Sequence, residues 1–137
     1  MTERNSKTLK AEDLAQFTGS TQWFQHAFFK AVIYTEGVRY VAREGGAYWL
    51  IDEIAGHLVS PQFNQAAKRD PRIEQIHFWK LTVNADDTAD LEARVDSGVK
   101  PFVKKHYPFT DFPLSEQDIW AAKNELDGYT LMLPSEY

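Results

Sequence analysis

Glu53 and His57 stand four residues apart in the stretch GGAYWLIDEIAGHL, residues 45–58. On a helix that spacing puts a carboxylate and an imidazole on one face. Such a pair can share a hydrogen bond, act as general acid and base, or supply two ligands to a metal. A zinc or iron centre needs three or more ligands, and His26, His77 and His106 show no motif spacing that would complete one. The reading is therefore no metal and no assigned catalytic residue, with a solvated ion pair as the plainer role for Glu53 and His57. His77 falls on the apolar alternation of its segment, where a neutral core histidine bonded to backbone or water is expected. No GxSxG elbow and no glycine-rich phosphate loop is present, so no cofactor is expected.

Trp49 and Asp52 flank the same pair. An indole opposite a buried stripe must be covered by another segment, a second subunit or a ligand, and the aromatic stretch 23–29 is the nearest source of cover. Trp49, Asp52, Glu53 and His57 thus form a candidate interface, an aromatic anchor with a carboxylate rim. A second candidate is the basic run Lys100, Lys104, Lys105 and His106, which could hold an anion. It follows an acidic segment containing Asp86, Asp87, Asp90, Glu92 and Asp96. On adjacent strands the two would screen one another.

The elements that position these residues follow from period. A short helix is expected in LKAEDLAQFTG, with Leu14 and Phe17 on one face and Gly19 as its stop. Residues 23–29 read as an irregular connection, and AVIYTEGVRYVAR as a hairpin turning at Glu36-Gly37. Gly45-Gly46 break that strand. Ala47, Leu50, Ile51, Ile54 and Leu58 then recur at helical spacing, predicting a helix over 46–58. Ser60-Pro61 start another, which Asp70-Pro71 ends. Strict alternation in RIEQIHFWKLTV and TADLEARVD predicts strands near 73–84 and 88–96, with a third at 99–107 completing a meander. HYPFTDFPL is an irregular crossing. Runs near 118–123 and 129–133 read as a closing hairpin, the first alternatively as a short helix.

Helices beside hairpins make an α+β domain, mainly an antiparallel sheet of about five to seven strands with two or three helices packed on it. One domain over residues 9–137 behind a flexible tail, 1–8, suits a chain of 137 residues. With no cysteine, a polar start and no long apolar run, the chain reads as cytoplasmic and without a membrane partner. A formal net charge of −5 argues against nucleic acid, although Tyr107 and Phe109 beside the lysines would serve as stacking rings.

The strings EDLAQFTGSTQW, YTEGVRYVAREGGAYWLIDEIA, FWKLTVN, FTDFPL and LPSEY, in that order, resemble an uncharacterised bacterial family classed as a domain of unknown function. The resemblance runs from about Leu9 to Tyr137. It implies a small bacterial protein, on the same footing a gene of mobile elements, and it assigns no activity, cofactor or catalytic residue. Two readings follow. One is a non-enzymatic interaction or regulatory module with a protein partner or a second copy at Trp49, Asp52, Glu53 and His57. The other is a small-molecule or anion-binding protein or enzyme using Glu53/His57 and the Lys104/Lys105/His106 patch, so enzymatic activity stays open.

Overall fold

The computed structural model describes residues 9–17 and 22–137; the expected tail at 1–8 and the Gly19 stop lie outside them. Among the described residues the order is a 3-10 helix (Ala11–Gln16), β1 (Trp23–Gln25), β2 (Val32–Thr35), α1 (Glu36–Gly45), α2 (Tyr48–Leu58), α3 (Pro61–Arg69) and α4 (Arg72–Gln75). There follow β3 (Ile76–Val83), β4 (Ala89–Arg94), β5 (Val103–Tyr107), β6 (Glu116–Lys123), β7 (Tyr129–Met132) and a 3-10 turn (Pro134–Glu136). The strands form one seven-stranded sheet in the order β1-β2-β7-β6-β3-β4-β5. Neighbours are antiparallel except β2 and β7, which run parallel. This is the expected α+β architecture. Both the β3-β4-β5 meander and the β6-β7 hairpin are present, and 118–123 is strand.

Alternation decides which way the sheet faces. Along β3, His77, Trp79, Leu81 and Val83 are buried while Phe78, Lys80 and Thr82 are not, and β4 and β6 repeat the pattern. The inner face carries the helices. Ala47, Leu50, Ile51, Ile54 and Leu58 are all buried there. The four larger side chains of that stripe contribute about 1.5–3 kcal/mol each by burial, before the entropy of ordering the chain. Ser60 accepts from Phe63 N to cap α3, with Pro61 in its first turn.

The outer face is arranged in rows by register. Trp120, Phe78 and Arg94 lie side by side; next to them run Asp118, Lys80, Glu92 and Lys104. Acidic and basic side chains meet on this face: Glu92 lies 3.7 Å from Lys104, and Asp90 Oδ1 2.8 Å from His106 Nδ1. The acidic and basic segments therefore do sit on adjacent strands and screen one another.

Three expectations need correction. Residues 36–45 form helix α1, not the second arm of a hairpin. Thr35 closes β2 and accepts from Val38 N as a helix cap, while Val38, Val41, Ala42 and Gly45 are buried at helical spacing. Gly45 belongs to α1 and Gly46, at φ 63°, terminates it, so α2 begins at Tyr48. Residues 23–25 are also a strand, since Trp23, Phe24 and Gln25 pair with Thr35, Tyr34 and Ile33.

The start of α1 receives a second cap from far along the chain. Glu136 Oε1 accepts from Thr35 Oγ1 at 2.6 Å and Leu133 N at 2.9 Å, and Oε2 accepts from Gly37 N at 3.2 Å. A carboxylate at a helix N-terminus is favoured by both free N–H groups and the helix dipole. Position 37 must be glycine for this contact, because a Cβ there would lie 2.6 Å from Glu136 Oε1.

Candidate functional site

Helix α2 crosses the inner face so that its polar side overhangs the end of the sheet at β5. Glu53 is the centre of the contact. Its carboxylate accepts from Lys105 Nζ at 3.0 and 3.1 Å. His57 Nε2 approaches Glu53 Oε2 to 2.9 Å without hydrogen-bond alignment, and the buried Tyr107 hydroxyl faces the same carboxylate at the limit of such geometry. Burial opposes the charge on Glu53, yet hydrogen bonds from Lys105 and Tyr107, with the charges of Lys105 and His57, hold its carboxyl below the ordinary range. Tyr107 is driven the other way, its phenol raised by burial and then by Glu53.

Trp49 is half-buried. Its cover is Tyr107, met edge to face at 5.1 Å between centroids, where the sequence pointed to the stretch 23–29. Lys105 Nζ also lies 5.4 Å from the Tyr107 ring centroid. Tryptophan, tyrosine, lysine and glutamate thus form one packed unit joining α2 to β5.

Asp52 is bound from the opposite side. His26 Nδ1 accepts from Phe28 N and Phe29 N, which leaves Nε2 to carry the proton and donate to Asp52 Oδ1 at 2.8 Å. This histidine holds a turn and has no free nitrogen for proton transfer. Asp52 itself remains 70% exposed, so its second oxygen faces solvent.

Between α2 and β5 lies a groove of about 770 Å³ lined by Trp49, Asp52, Glu53 and His57 on one side and by Phe102, Val103 and Lys104 on the other. Gly56 belongs to its wall, and a Cβ placed there would meet nothing within 4 Å. All four candidate interface residues therefore share one concavity. The basic run does not converge: Lys105 turns under α2, Lys104 and His106 pair with acids of β4, and Lys100 lies in the turn before β5.

His77 is fully buried, its Nδ1 3.0 Å from Ile73 O, in a cage of Phe63, Trp79, Phe102 and Tyr129 rings. Burial lowers its pKa from 6.5 to about 4. Among the described residues no group of three His, Asp or Glu side chains stands close enough to hold a metal ion, and no helix is long and apolar enough to cross a membrane.

Sequence reasoning singled out Glu53 and His57 because their spacing is local. It missed Lys105 of β5 as the partner of Glu53 and His26, in the turn after β1, as the partner of Asp52; both are remote in sequence and leave no periodic signal. Residues 8–137 match the model of a protein family described as a family of unknown function. No curated protein and no solved structure matches the chain.

Proposed function

The chain belongs to that family, DUF6876, which supplies no activity to carry over, and we infer its function from the groove itself. It is a non-enzymatic protein-interaction module of a bacterial cytoplasm that receives an extended segment of a partner between α2 and the free edge of β5. Among the described residues β5 is the last strand of the sheet, so alternate N–H and C=O groups along its outer side have no neighbouring strand there. An edge strand facing a helix across a concave gap is the arrangement used for strand addition, in which main-chain bonds hold the peptide and side pockets select it.

The observation that carries this reading is the gathering of Trp49, Asp52, Glu53, His57 and the β5 edge around one groove. Trp49 and Phe102 suit an apolar side chain of the partner, and the exposed Asp52 carboxylate suits a basic one. Proton transfer is less well supported. Glu53 is held ionised by fixed donors, and Lys104, Lys105 and His106 each already face a carboxylate, which an incoming anion would have to displace.

Selection from a random peptide display library tests the reading, with counter-selection on Trp49→Ala and Asp52→Lys proteins. The expected result is an enriched apolar-and-basic motif that protects β5 amides from hydrogen exchange. Enriched peptides that bind both variants as well as the wild type would reject the groove as the site. Native mass spectrometry of the purified protein separates a second copy from a foreign partner in the same role.

A further inference from the structure

The outer face of the sheet carries a second concavity, of about 920 Å³, on the side away from α2. Its floor is made by Phe78 and Trp120, neighbours across β3 and β6 whose rings meet edge to face at 5.0 Å between centroids. Both rings remain partly exposed, beside rows of charged residues on the same solvated face. The turn 96–101 rises along one side and is tied to the sheet by Arg94, whose Nε donates to Val99 O at 2.9 Å. Pro134 closes the other end.

The polar groups around that floor are of two kinds. Asp118 and Asp96 offer carboxylate acceptors. Of the cations, Lys80 lies 3.8 Å from both Glu116 and Asp118, and Arg94 lies 2.8 Å from Glu92. Lys100 is exposed on the wall and, among the described residues, has no carboxylate partner. The groove therefore combines a floor of two aromatic rings set edge to face, acceptors beside it and, among the described residues, one lysine at its rim with no carboxylate partner.

We propose that this outer groove is a binding site for a free nucleoside monophosphate, with the base stacked on one ring of the Phe78–Trp120 pair and bordered by the other, its amino edge toward Asp118, and the phosphate at Lys100. Each part of the ligand answers a feature of the groove. Aromatic rings stack bases without demanding a particular one. A carboxylate accepts from exocyclic amino groups. One free lysine matches one phosphate. A polynucleotide fits poorly, because a strand leaving the groove would pass Glu92, Asp90 and Glu116 on the same face.

The test is titration of the full-length protein with AMP, GMP, CMP and UMP, followed by two-dimensional NMR, with adenosine, inorganic phosphate and a single-stranded oligonucleotide alongside. Saturable shifts at the Trp120 indole and at residues 96–101 are expected with at least one monophosphate. Lys100→Ala, an exposed change that leaves the core intact, should weaken the monophosphate roughly tenfold and leave adenosine unchanged, as for a lost charge-assisted contact. Trp120→Leu should weaken nucleoside and nucleotide alike; Phe78→Leu gives the same readout should the first variant fail to fold. No saturation with any monophosphate, equal binding by Lys100→Ala, or tighter binding of the oligonucleotide would each overturn the proposal.

Discussion

Acid should unfold this protein through His77, and the effect can be isolated. In the folded chain the ring sits in an aromatic cage and is neutral down to about pH 4, whereas an exposed imidazole protonates near 6.5. Between these values the unfolded state binds the extra proton, so stability falls as pH falls. At about 1.4 kcal/mol per pH unit the interval is worth ~3 kcal/mol, a large share of the 5–15 kcal/mol typical of a domain. His77→Phe keeps a ring in the cage and removes the titration. It also leaves the Ile73 carbonyl without its partner, at a cost of about 1–3 kcal/mol at neutral pH. Urea unfolding of both proteins at intervals from pH 7.5 to 4 gives the difference directly. Other acid-sensitive groups cancel in that difference. Glu53 is one: its depressed carboxyl stabilises above the unfolded value and is lost as pH falls through the folded one. The wild-type advantage should shrink and then reverse as pH approaches 4. A difference that stays constant with pH would refute the argument.

Four further outcomes follow from contacts described above. Glu136→Ala should lower stability by about 1–2 kcal/mol through loss of a helix cap, measured by thermal unfolding. Gly37→Ala should cost about 1–3 kcal/mol because its methyl group meets both Glu136 and Leu133 Cδ1, the latter at 2.7 Å. Gly56→Ala meets open space on a helix and should instead stabilise by about 0.4–1 kcal/mol while narrowing the α2/β5 groove, so peptide binding and stability should move in opposite directions. Lys105→Met should raise the Glu53 pKa in a carboxyl NMR titration; an unmoved value would mean that Lys105 does not hold that carboxylate ionised.

Much of this fold is written in local periods. The stripe from Ala47 to Leu58 has helical spacing and is buried as a unit, and alternation over His77–Val83 and Ala89–Ala93 identifies two central strands. Helix α1 was not legible for a physical reason. Val38, Tyr40 and Val41 favour extended backbone when taken singly, and Glu36-Gly37 has turn chemistry. What secures the helix is the Thr35 cap together with Glu136, a residue that local pattern cannot associate with it. The candidate site divides in the same way. Glu53 and His57 are neighbours on one helix and could be read, but Lys105 and Tyr107 reach Glu53 only through sheet register, and His26 reaches Asp52 only through the turn after β1. Phe78 and Trp120 sit at positions where alternation predicts solvent, so nothing in the period marked them as a floor.

The parallel pairing of β2 with β7 has a consequence for synthesis. Val32, Ile33 and Tyr34 find their neighbours at Tyr129, Thr130 and Leu131, and both Tyr129 N and Asn124 Nδ2 donate to Ala31 O. On the ribosome, then, β1 and β2 emerge before β7 and wait for α1–α4 and β3–β6 to be made before their side of the sheet can close. The same late-arriving stretch brings Glu136 to the start of α1. A prematurely terminated product would therefore lose sheet closure and helix cap together, leaving the aromatic residues of β1 and its following turn exposed to chaperones and proteases.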